Sequence, residues 1–259
     1  MSIRVLAVGD VVGSSGVSFL RRQLGSLIRT HAIDFTVVNG ENASMRGLTP
    51  DQAEDMLYAG ADVITLGNHT FGNRAIVPYL DDSAKILRPA NFPSQNPGRG
   101  WGDYETDFGT VRVINLIGRC SMNFGPENPF SAVETILAKA PPAFVLVDFH
   151  AEATSEKLAM GYLLDGRVSA LWGTHTHVQT SDGQVLPGGT GYVTDLGMTG
   201  PARSVLGVRP EQSVAMFRGE LPERFAEAKG KVKLEGAIFE LEEKSGRCLS
   251  VEALRISES

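Results

Sequence analysis

The chain has 259 residues, of which 42% are apolar, and this is enough for one large hydrophobic core. Its net charge of −6 argues against a dedicated nucleic-acid binder, because non-specific affinity for polyanions comes mainly from clustered Lys and Arg. The two cysteines form no CxxC pair, which favours a reducing, cytoplasmic location. We expect no signal peptide, because a strand that ends at the charged Asp10 comes too early, and no membrane span, because no stretch approaches roughly 18 apolar residues.

Strand and helix patterns alternate in the first part of the chain. Thr49 and Pro50 suit the N-cap and the first position of a helix, and Gly60 suits its end. The helix before it is predicted from apolar residues at helical spacing, and the strands are predicted from short apolar runs. The predicted strands are residues 3–8, 35–38 and 63–66, and the earlier helix is residues 14–29.

The second part of the chain mixes the same alternation with antiparallel pairs. A loop rich in Pro, Gly and Asn at 89–102 precedes a hairpin whose predicted turn is Gly109-Thr110. No repeat or linker-like composition interrupts the pattern, so we predict a single α/β domain that spans residues 1–259. The remaining predicted elements are helices 129–140 and 154–164, strands 145–148 and 168–172, and closing antiparallel strands 237–241 and 248–256.

Histidine is scarce and stands at predicted strand ends. The chain has five histidines, and three of them lie in Gly67-Asn68-His69 and Gly173-Thr174-His175-Thr176-His177, each directly after an apolar run. His150 follows another apolar run in the same way. Ligands bind at the carboxyl ends of strands in α/β sheets, so these segments predict a functional site.

Five such segments together carry enough donors for two metal ions. They offer two carboxylates, two amide oxygens and three imidazoles, and a shared carboxylate with water would complete both coordination shells. Mixed oxygen and imidazole donors suit iron, manganese or zinc rather than calcium or magnesium. Such a centre stays positive, so it would attract a phosphate oxygen and lower the pKa of a bound water. The candidate ligands are Asp10, Glu41, Asn42, Asn68, His150, His175 and His177.

Glycines precede most of these candidate ligands. Gly9, Gly40, Gly67 and Gly173 stand where the chain has to leave its strand, so we expect them to permit a positive φ and a close approach of the backbone to the ions.

The same blocks resemble a known family. The GD, GNH, single His and GxHxH blocks look like those of the calcineurin-like metallophosphoesterases, and in detail the chain is similar to the bacterial YmdB-like 2′,3′-cyclic-nucleotide phosphodiesterase branch over nearly its whole length. The resemblance implies a four-layer α/β/β/α sandwich with two mixed sheets. The segments that carry the closer match are 9–13, 39–43, 67–70, 148–157 and 173–180.

The resemblance also implies a division of roles. Asp10, Glu41, Asn42 and His177 would hold one metal, and Glu41, Asn68, His150 and His175 would hold the other. The usual Asp-x-His is here Asp10-Val11-Val12, and Asn42 would replace the missing imidazole. His69 would stay unligated and donate a proton.

The implied reaction is hydrolysis of nucleoside 2′,3′-cyclic phosphates to 3′-phosphates by a metal-bridging hydroxide. The implied cofactors are two divalent or trivalent metal ions, with iron expected first and manganese or zinc as alternatives. The expected partner is a small cyclic nucleotide or another phosphoester. We expect no stable nucleic-acid binding, and we expect a homo-oligomer.

Two other functions stay open at this stage. The same centre would serve a phosphomonoesterase, either a nucleotidase or a protein phosphatase. A metal-binding regulatory protein is the alternative of a different class. Several further residues have ordinary interpretations: His31 as a surface residue, Asn39 and Asn91 as turn residues, Glu152 and Asp195 as ligand-orienting or surface residues, and Arg46, Arg119 and Arg203 as loop arginines that could face the site.

Overall fold

Two β-sheets pack face to face, and helices cover their outer surfaces, in a computed structural model that describes residues 2–122, 125–221 and 223–258. The predicted α/β architecture with two mixed sheets is therefore confirmed. The helices are α1 (Gly13–Thr30), α2 (Pro50–Ala59), α3 (Ile76–Asp82), α4 (Pro129–Leu137), α5 (Thr154–Leu164) and α6 (Pro210–Phe217).

The first sheet joins the beginning of the chain to its end. Its central strand β1 (Ser2–Val8) runs parallel to β3 (Phe35–Asn39) on one side and antiparallel to β13 (Val232–Glu242) on the other. The other members are β2 (Asp10–Val11), β4 (Val63–Thr65), β5 (Ile86–Leu87), β12 (Met198–Pro201) and β14 (Cys248–Ser257). The strand order is β2-β12-β13-β1-β3-β4-β5, with β14 paired to β13.

The second sheet is built from the middle of the chain. Three parallel neighbours, β7 (Gly109–Ile117), β8 (Phe144–His150) and β9 (Ala170–Thr174), form its centre. The outer strands are β6 (Trp101–Thr106) on one side and β11 (Gly191–Val193) with β10 (Gln184–Val185) on the other. The strand order is β10-β11-β9-β8-β7-β6, and antiparallel pairs close both edges.

Side-chain alternation along the central strands produces three hydrophobic layers. In β1, Leu6 and Val8 face α1 and α2, whereas Val5 and Ala7 face the other sheet. In β8, Leu146 faces the first sheet, and its neighbours on the opposite face pack against α4 and α5. Both faces of each central strand are buried, which explains why these strands read as continuous apolar runs in the sequence.

The boundaries of α2 follow from local capping. The Thr49 side chain accepts a hydrogen bond from the backbone N–H of Gln52, and the Gln52 side chain accepts one from the Thr49 backbone, which completes a capping box. Pro50 opens the helix, and Gly60 ends it in the left-handed region at φ 118°. The predicted start and end of this helix are both confirmed.

Some predicted boundaries were wrong. The hairpin turn lies at Asp107-Phe108, because Gly109 and Thr110 already pair with Thr106 and Glu105. The helix predicted for 129–140 ends at Leu137. The sequence patterns also missed α3, α6 and β12. Within the described ranges, no helix combines the length and the apolar character needed to cross a bilayer.

Candidate metal centre

Five strand ends from both sheets meet at one point of the molecule. Asp10 lies just beyond β1, Glu41 and Asn42 follow β3, Asn68 follows β4, His150 ends β8, and His175 follows β9. The seven candidate ligands are brought together here, and Asp10, Glu41 and His150 have no exposed surface. Their assignment as metal ligands remains a prediction, and the distances between their donor atoms show how well they suit a metal site.

One half of the cluster is centred on His150. Its Nε2 lies 3.0 Å from Glu41 Oε1, 2.9 Å from Asn68 Oδ1 and 3.1 Å from His175 Nδ1. The donor atoms of Glu41, His150 and His175 all lie within 4.8 Å of one another. Four donors about 2.1 Å from a single ion would lie roughly 3.4 Å apart, so this group has the spacing of a coordination shell.

The other half is centred on His177. Its Nε2 lies 3.5 Å from Asp10 Oδ1 and 3.1 Å from Asn42 Nδ2. Asn42 Nδ2 also lies 3.4 Å from Glu41 Oε1, so the two halves share Glu41. Ligation by Asn42 through its oxygen would require the amide to turn over, because its nitrogen faces the cluster. The oxygen and nitrogen of an amide differ little in shape, so the turn costs no packing.

Each histidine turns one ring nitrogen inward and has a partner for the other. His150 Nδ1 lies 2.9 Å from Thr174 Oγ1, His175 Nε2 lies 3.1 Å from Glu152 Oε2, and His177 Nδ1 lies 3.2 Å from the Leu206 carbonyl oxygen. Such outer hydrogen bonds fix the tautomer of a metal-binding histidine and leave the inner nitrogen as a lone-pair donor. The proposed orienting role of Glu152 agrees with this contact.

The cluster favours positive charge at its centre. Burial alone would raise the pKa of Asp10 and Glu41, but the neighbouring histidines outweigh it and hold both pKa values below their usual range. Burial alone would lower the pKa of His150, but Glu41 and Asp10 raise it to about 9. Burial and then the charge of His150 lower the pKa of His175 to about 3. Paired buried carboxylates beside a neutral imidazole suit a cation.

An incompletely satisfied buried atom supports the same interpretation. Asp10 Oδ1 is buried and accepts no well-formed hydrogen bond from the described residues, since His177 Nε2 lies 3.5 Å away, whereas Asp10 Oδ2 accepts one from the His175 backbone N–H. A buried carboxylate oxygen without a donor is costly unless a ligand satisfies it. The residues present therefore fit metal binding, with mixed oxygen and imidazole donors of the kind that iron, manganese and zinc accept.

A buried carboxylate lies behind His150. Asp148 Oδ1 accepts a hydrogen bond from the Thr174 hydroxyl at 2.7 Å, and its Oδ2 accepts from the Thr65 hydroxyl and the Asn39 amide. Because the Thr174 proton goes to Asp148, its oxygen is left to accept from His150 Nδ1. Burial raises the pKa of Asp148 to about 6 in spite of these donors. Asn39, predicted as a turn residue, is instead the buried last residue of β3.

A second buried carboxylate supports the turn that carries the other two histidines. Asp195 Oδ2 accepts hydrogen bonds from Lys157 Nζ at 2.8 Å, from the Thr176 hydroxyl at 2.6 Å and from the Thr176 backbone N–H at 3.3 Å. Lys157 is 1% exposed and Asp195 is fully buried. His175 and His177, on either side of Thr176, have φ of 91° and 60°. The ion pair thus stabilises a turn whose backbone is strained at two histidines.

The four glycines before the ligands act through close approach and not through positive φ. None of them has a left-handed backbone; His175 and His177 do. A Cβ at Gly67 would lie 2.3 Å from His150 Nε2 and 2.4 Å from Glu41 Oε2, and one at Gly173 would lie 1.9 Å from the Thr194 carbonyl oxygen. Any side chain at Gly67 would therefore enter the cluster itself.

His69 stands at the edge of the cluster and stays outside both groups of donors. Its backbone N–H donates to Glu41 Oε2 at 3.0 Å, and its ring lies 3.3 Å from Asn68 Nδ2. The half-buried ring lines an open cleft of about 820 Å³ together with Arg46. Burial is the largest of the effects that lower the pKa of His69. This placement suits a group that exchanges a proton with a bound substrate.

The remaining sequence-predicted residues have other surroundings. The Arg119 backbone N–H donates to Glu156, and Arg203 is exposed. Asn91 lies in a turn, as predicted, and it is also buried, with a side chain that bonds the backbone of Ile117 and Glu127. Sequence reasoning missed the roles of Asp148, Thr174 and Lys157. The one sequence signal for Asp148 was a carboxylate inside an otherwise apolar run.

Comparison with known proteins places this chain in a family. The chain is 41% identical to the 2′,3′-cyclic-nucleotide 2′-phosphodiesterase of Bacillus subtilis over 261 residues, which is 99% of this chain and 98% of that protein. A crystal structure of a novel phosphatase from Mycoplasma pneumoniae matches with a TM-score of 0.95 and 34% identity and covers 100% of this chain and 95% of that one.

A crystal structure of a hypothetical protein from Thermus thermophilus matches with a TM-score of 0.91 and 36% identity, over 99% of this chain and 100% of that one. Residues 6–254 match the family described as YmdB-like protein. The resemblance in the sequence blocks is thereby confirmed: the chain belongs to the YmdB-like protein family.

Proposed function

We propose that this chain is a metal-dependent phosphodiesterase that hydrolyses nucleoside 2′,3′-cyclic phosphates to nucleoside 3′-phosphates. The observation that carries the proposal is the convergence of two groups of donor atoms on the shared carboxylate of Glu41, beside a histidine that belongs to neither group. The name of the Bacillus subtilis relative supports the substrate class.

The residues divide between two cations as their contacts suggest. Asp10, Asn42 and His177 would hold one, and Asn68, His150 and His175 the other, with Glu41 between them. When bound, the cations would supply the positive charge that activates water and stabilises charge on the phosphate oxygens. We propose iron as the native metal, with manganese or zinc as substitutes that the same donors accept.

The protein's own part in bond cleavage falls to His69. Water adds to phosphorus and gives up a proton to solvent, the bond from phosphorus to the 2′ oxygen breaks, and the departing oxygen takes a proton from the protonated His69 imidazole, which regains one from solvent. The Glu41 carboxylate accepts from the His69 backbone N–H, so the residue that bridges the two groups also fixes the start of the His69 turn. The His69 backbone is therefore held beside the cluster, whichever rotamer its ring adopts.

Turnover of three substrate classes tests the proposal. Purified protein with Mn²⁺ or Fe²⁺ is assayed on a nucleoside 2′,3′-cyclic phosphate, a nucleoside 5′-monophosphate and a phosphopeptide. We expect the cyclic substrate to turn over fastest and to leave a 3′-phosphate. Preference for either monoester would replace this proposal with the phosphomonoesterase.

A matched pair of histidine variants tests the role of His69. His69→Ala should lower turnover by about 10²–10⁴-fold with metal content unchanged, which is the usual size of a general-acid contribution. His31→Ala changes a histidine at the far end of α1 and should leave turnover as in the wild type. Equal activity of the two variants would remove His69 from the reaction.

A further inference from the structure

A cleft of about 820 Å³ opens beside His69. Its lining includes Met45, Arg46, Val208 and Phe225, and it reaches the donor cluster through His69. Pockets for small organic ligands have volumes of about 300–1,000 Å³. The cleft is therefore larger than a phosphate group needs and has room for the rest of a nucleotide.

Three walls of the cleft begin at the donor cluster. Met45 and Arg46 follow the candidate ligand Asn42, and the Met45 backbone N–H donates to the Asn42 carbonyl oxygen at 2.8 Å. His69 follows Asn68. Val208 lies two residues after Leu206, whose carbonyl oxygen is the partner of His177 Nδ1. A phosphate held at the cluster would thus have its ester substituent directed along these walls.

Two of these walls are packed against each other at backbone level. A Cβ at Gly72 would lie 3.0 Å from the Arg46 carbonyl oxygen, and one at Gly47 would lie 2.6 Å from the Asn73 backbone nitrogen. The Gln52 side chain, which caps α2, also donates to the Ala43 carbonyl oxygen at 2.9 Å. These two walls of the cleft are therefore formed before any ligand binds.

The chemistry of the lining suits an aromatic, anionic ligand. Phe225 is 43% exposed and lines this cleft, and it also lines a smaller apolar pocket of about 130 Å³ beside α6. Arg46 and Arg224 bring positive charge, and the Glu223 carboxylate already accepts a hydrogen bond from Gln212. Bases stack on aromatic side chains with little dependence on sequence.

We propose that this cleft is the nucleoside subsite and that Phe225 stacks against the base of the substrate whose phosphate lies at the donor cluster. The inference rests on the proposed function and adds a specificity-determining residue to it. Phe225 selects for nucleoside diesters over diesters that lack a base, and it takes no part in bond cleavage.

Two substrates separate this subsite from the reaction itself. The metal-loaded enzyme is assayed on adenosine 2′,3′-cyclic phosphate and on ethylene phosphate, a five-membered cyclic diester that has neither a base nor any other aromatic ring. Phe225→Ala should raise KM for the cyclic nucleotide about tenfold or more, from the loss of base stacking, and leave kcat nearly unchanged. Phe225→Tyr should keep the wild-type KM because it keeps the ring.

The control is Phe217→Ala, which removes an 82% exposed ring from the same part of the chain, outside the cleft. It should leave KM unchanged. If Phe225→Ala matches the Phe217→Ala control on the cyclic nucleotide, the subsite is wrong although the phosphodiesterase stands. If the wild type cleaves neither diester, the proposed function itself fails, and the subsite with it.

Discussion

His150 and the turn from His175 to His177 reach the same cluster from neighbouring strands, yet they are supported differently. His150 is the last residue of the regular strand β8, and only its ring needs orientation, which Thr174 and Asp148 provide. The other two histidines lie on a strained backbone, which the Lys157–Asp195 ion pair stabilises through hydrogen bonds to Thr176. The comparison shows that a ligand on regular structure needs a side-chain partner, whereas a ligand on a strained turn also needs its backbone stabilised.

The largest effect is expected from breaking the Lys157–Asp195 ion pair, which supports the turn from His175 to His177. Lys157→Met leaves Asp195 buried without its cation, and we expect the free energy of unfolding to fall by about 3 kcal/mol. Urea unfolding of the metal-free protein measures this loss.

The matched control is Lys244→Met, because Lys244 is exposed. It should change stability by less than about 0.5 kcal/mol. If the two variants unfold at the same urea concentration, the ion pair does not support the turn.

A smaller and more selective effect should follow from removing the partner of His150. Thr174→Val is nearly isosteric but takes away the oxygen that accepts from His150 Nδ1, so metal affinity should fall about 10–100-fold. Isothermal titration calorimetry with Mn²⁺ measures the affinity. Thr135→Val, on the exposed face of α4, serves as the control. Wild-type affinity in Thr174→Val would mean that the ring of His150 is oriented by packing alone.

The smallest effect is expected at Glu152. Its side chain is 51% exposed and contacts His175 Nε2 from the solvent side. Glu152→Gln keeps an oxygen acceptor, so metal affinity should fall less than tenfold, and less than in Thr174→Val. The reverse order of the two variants in the same titration would contradict the account of outer partners.

The donor cluster could be predicted from the sequence because the signals that mark it, apolar runs followed by polar residues, are local. Strand ends are visible in apolar runs, and ligands bind at the carboxyl ends of strands, so the residue pattern predicts that these residues serve a functional site. That two different sheets bring them together is visible only in the structure. The capping residues Thr49 and Gly60 bounded α2 for the same local reason.

The residues that support the ligands could not be predicted, because their hydrogen-bond partners are distant in the chain. Asn39 donates to Asp148, which lies 109 residues away, and Lys157 meets Asp195 across 38 residues. Propensity treats an isolated Asn as a turn residue, and only the tertiary partner shows otherwise. The two-residue strands β2, β5 and β10 likewise exist only through pairing with a neighbour.

The most direct test of the account is a crystal structure of the protein with Mn²⁺ or Fe²⁺ and its anomalous scattering. The account predicts two peaks about 3.5–4 Å apart, one beside His177 and one beside His150, with Glu41 between them. Crystals that show no peak at these residues, with the three imidazoles turned away from one another, would contradict it.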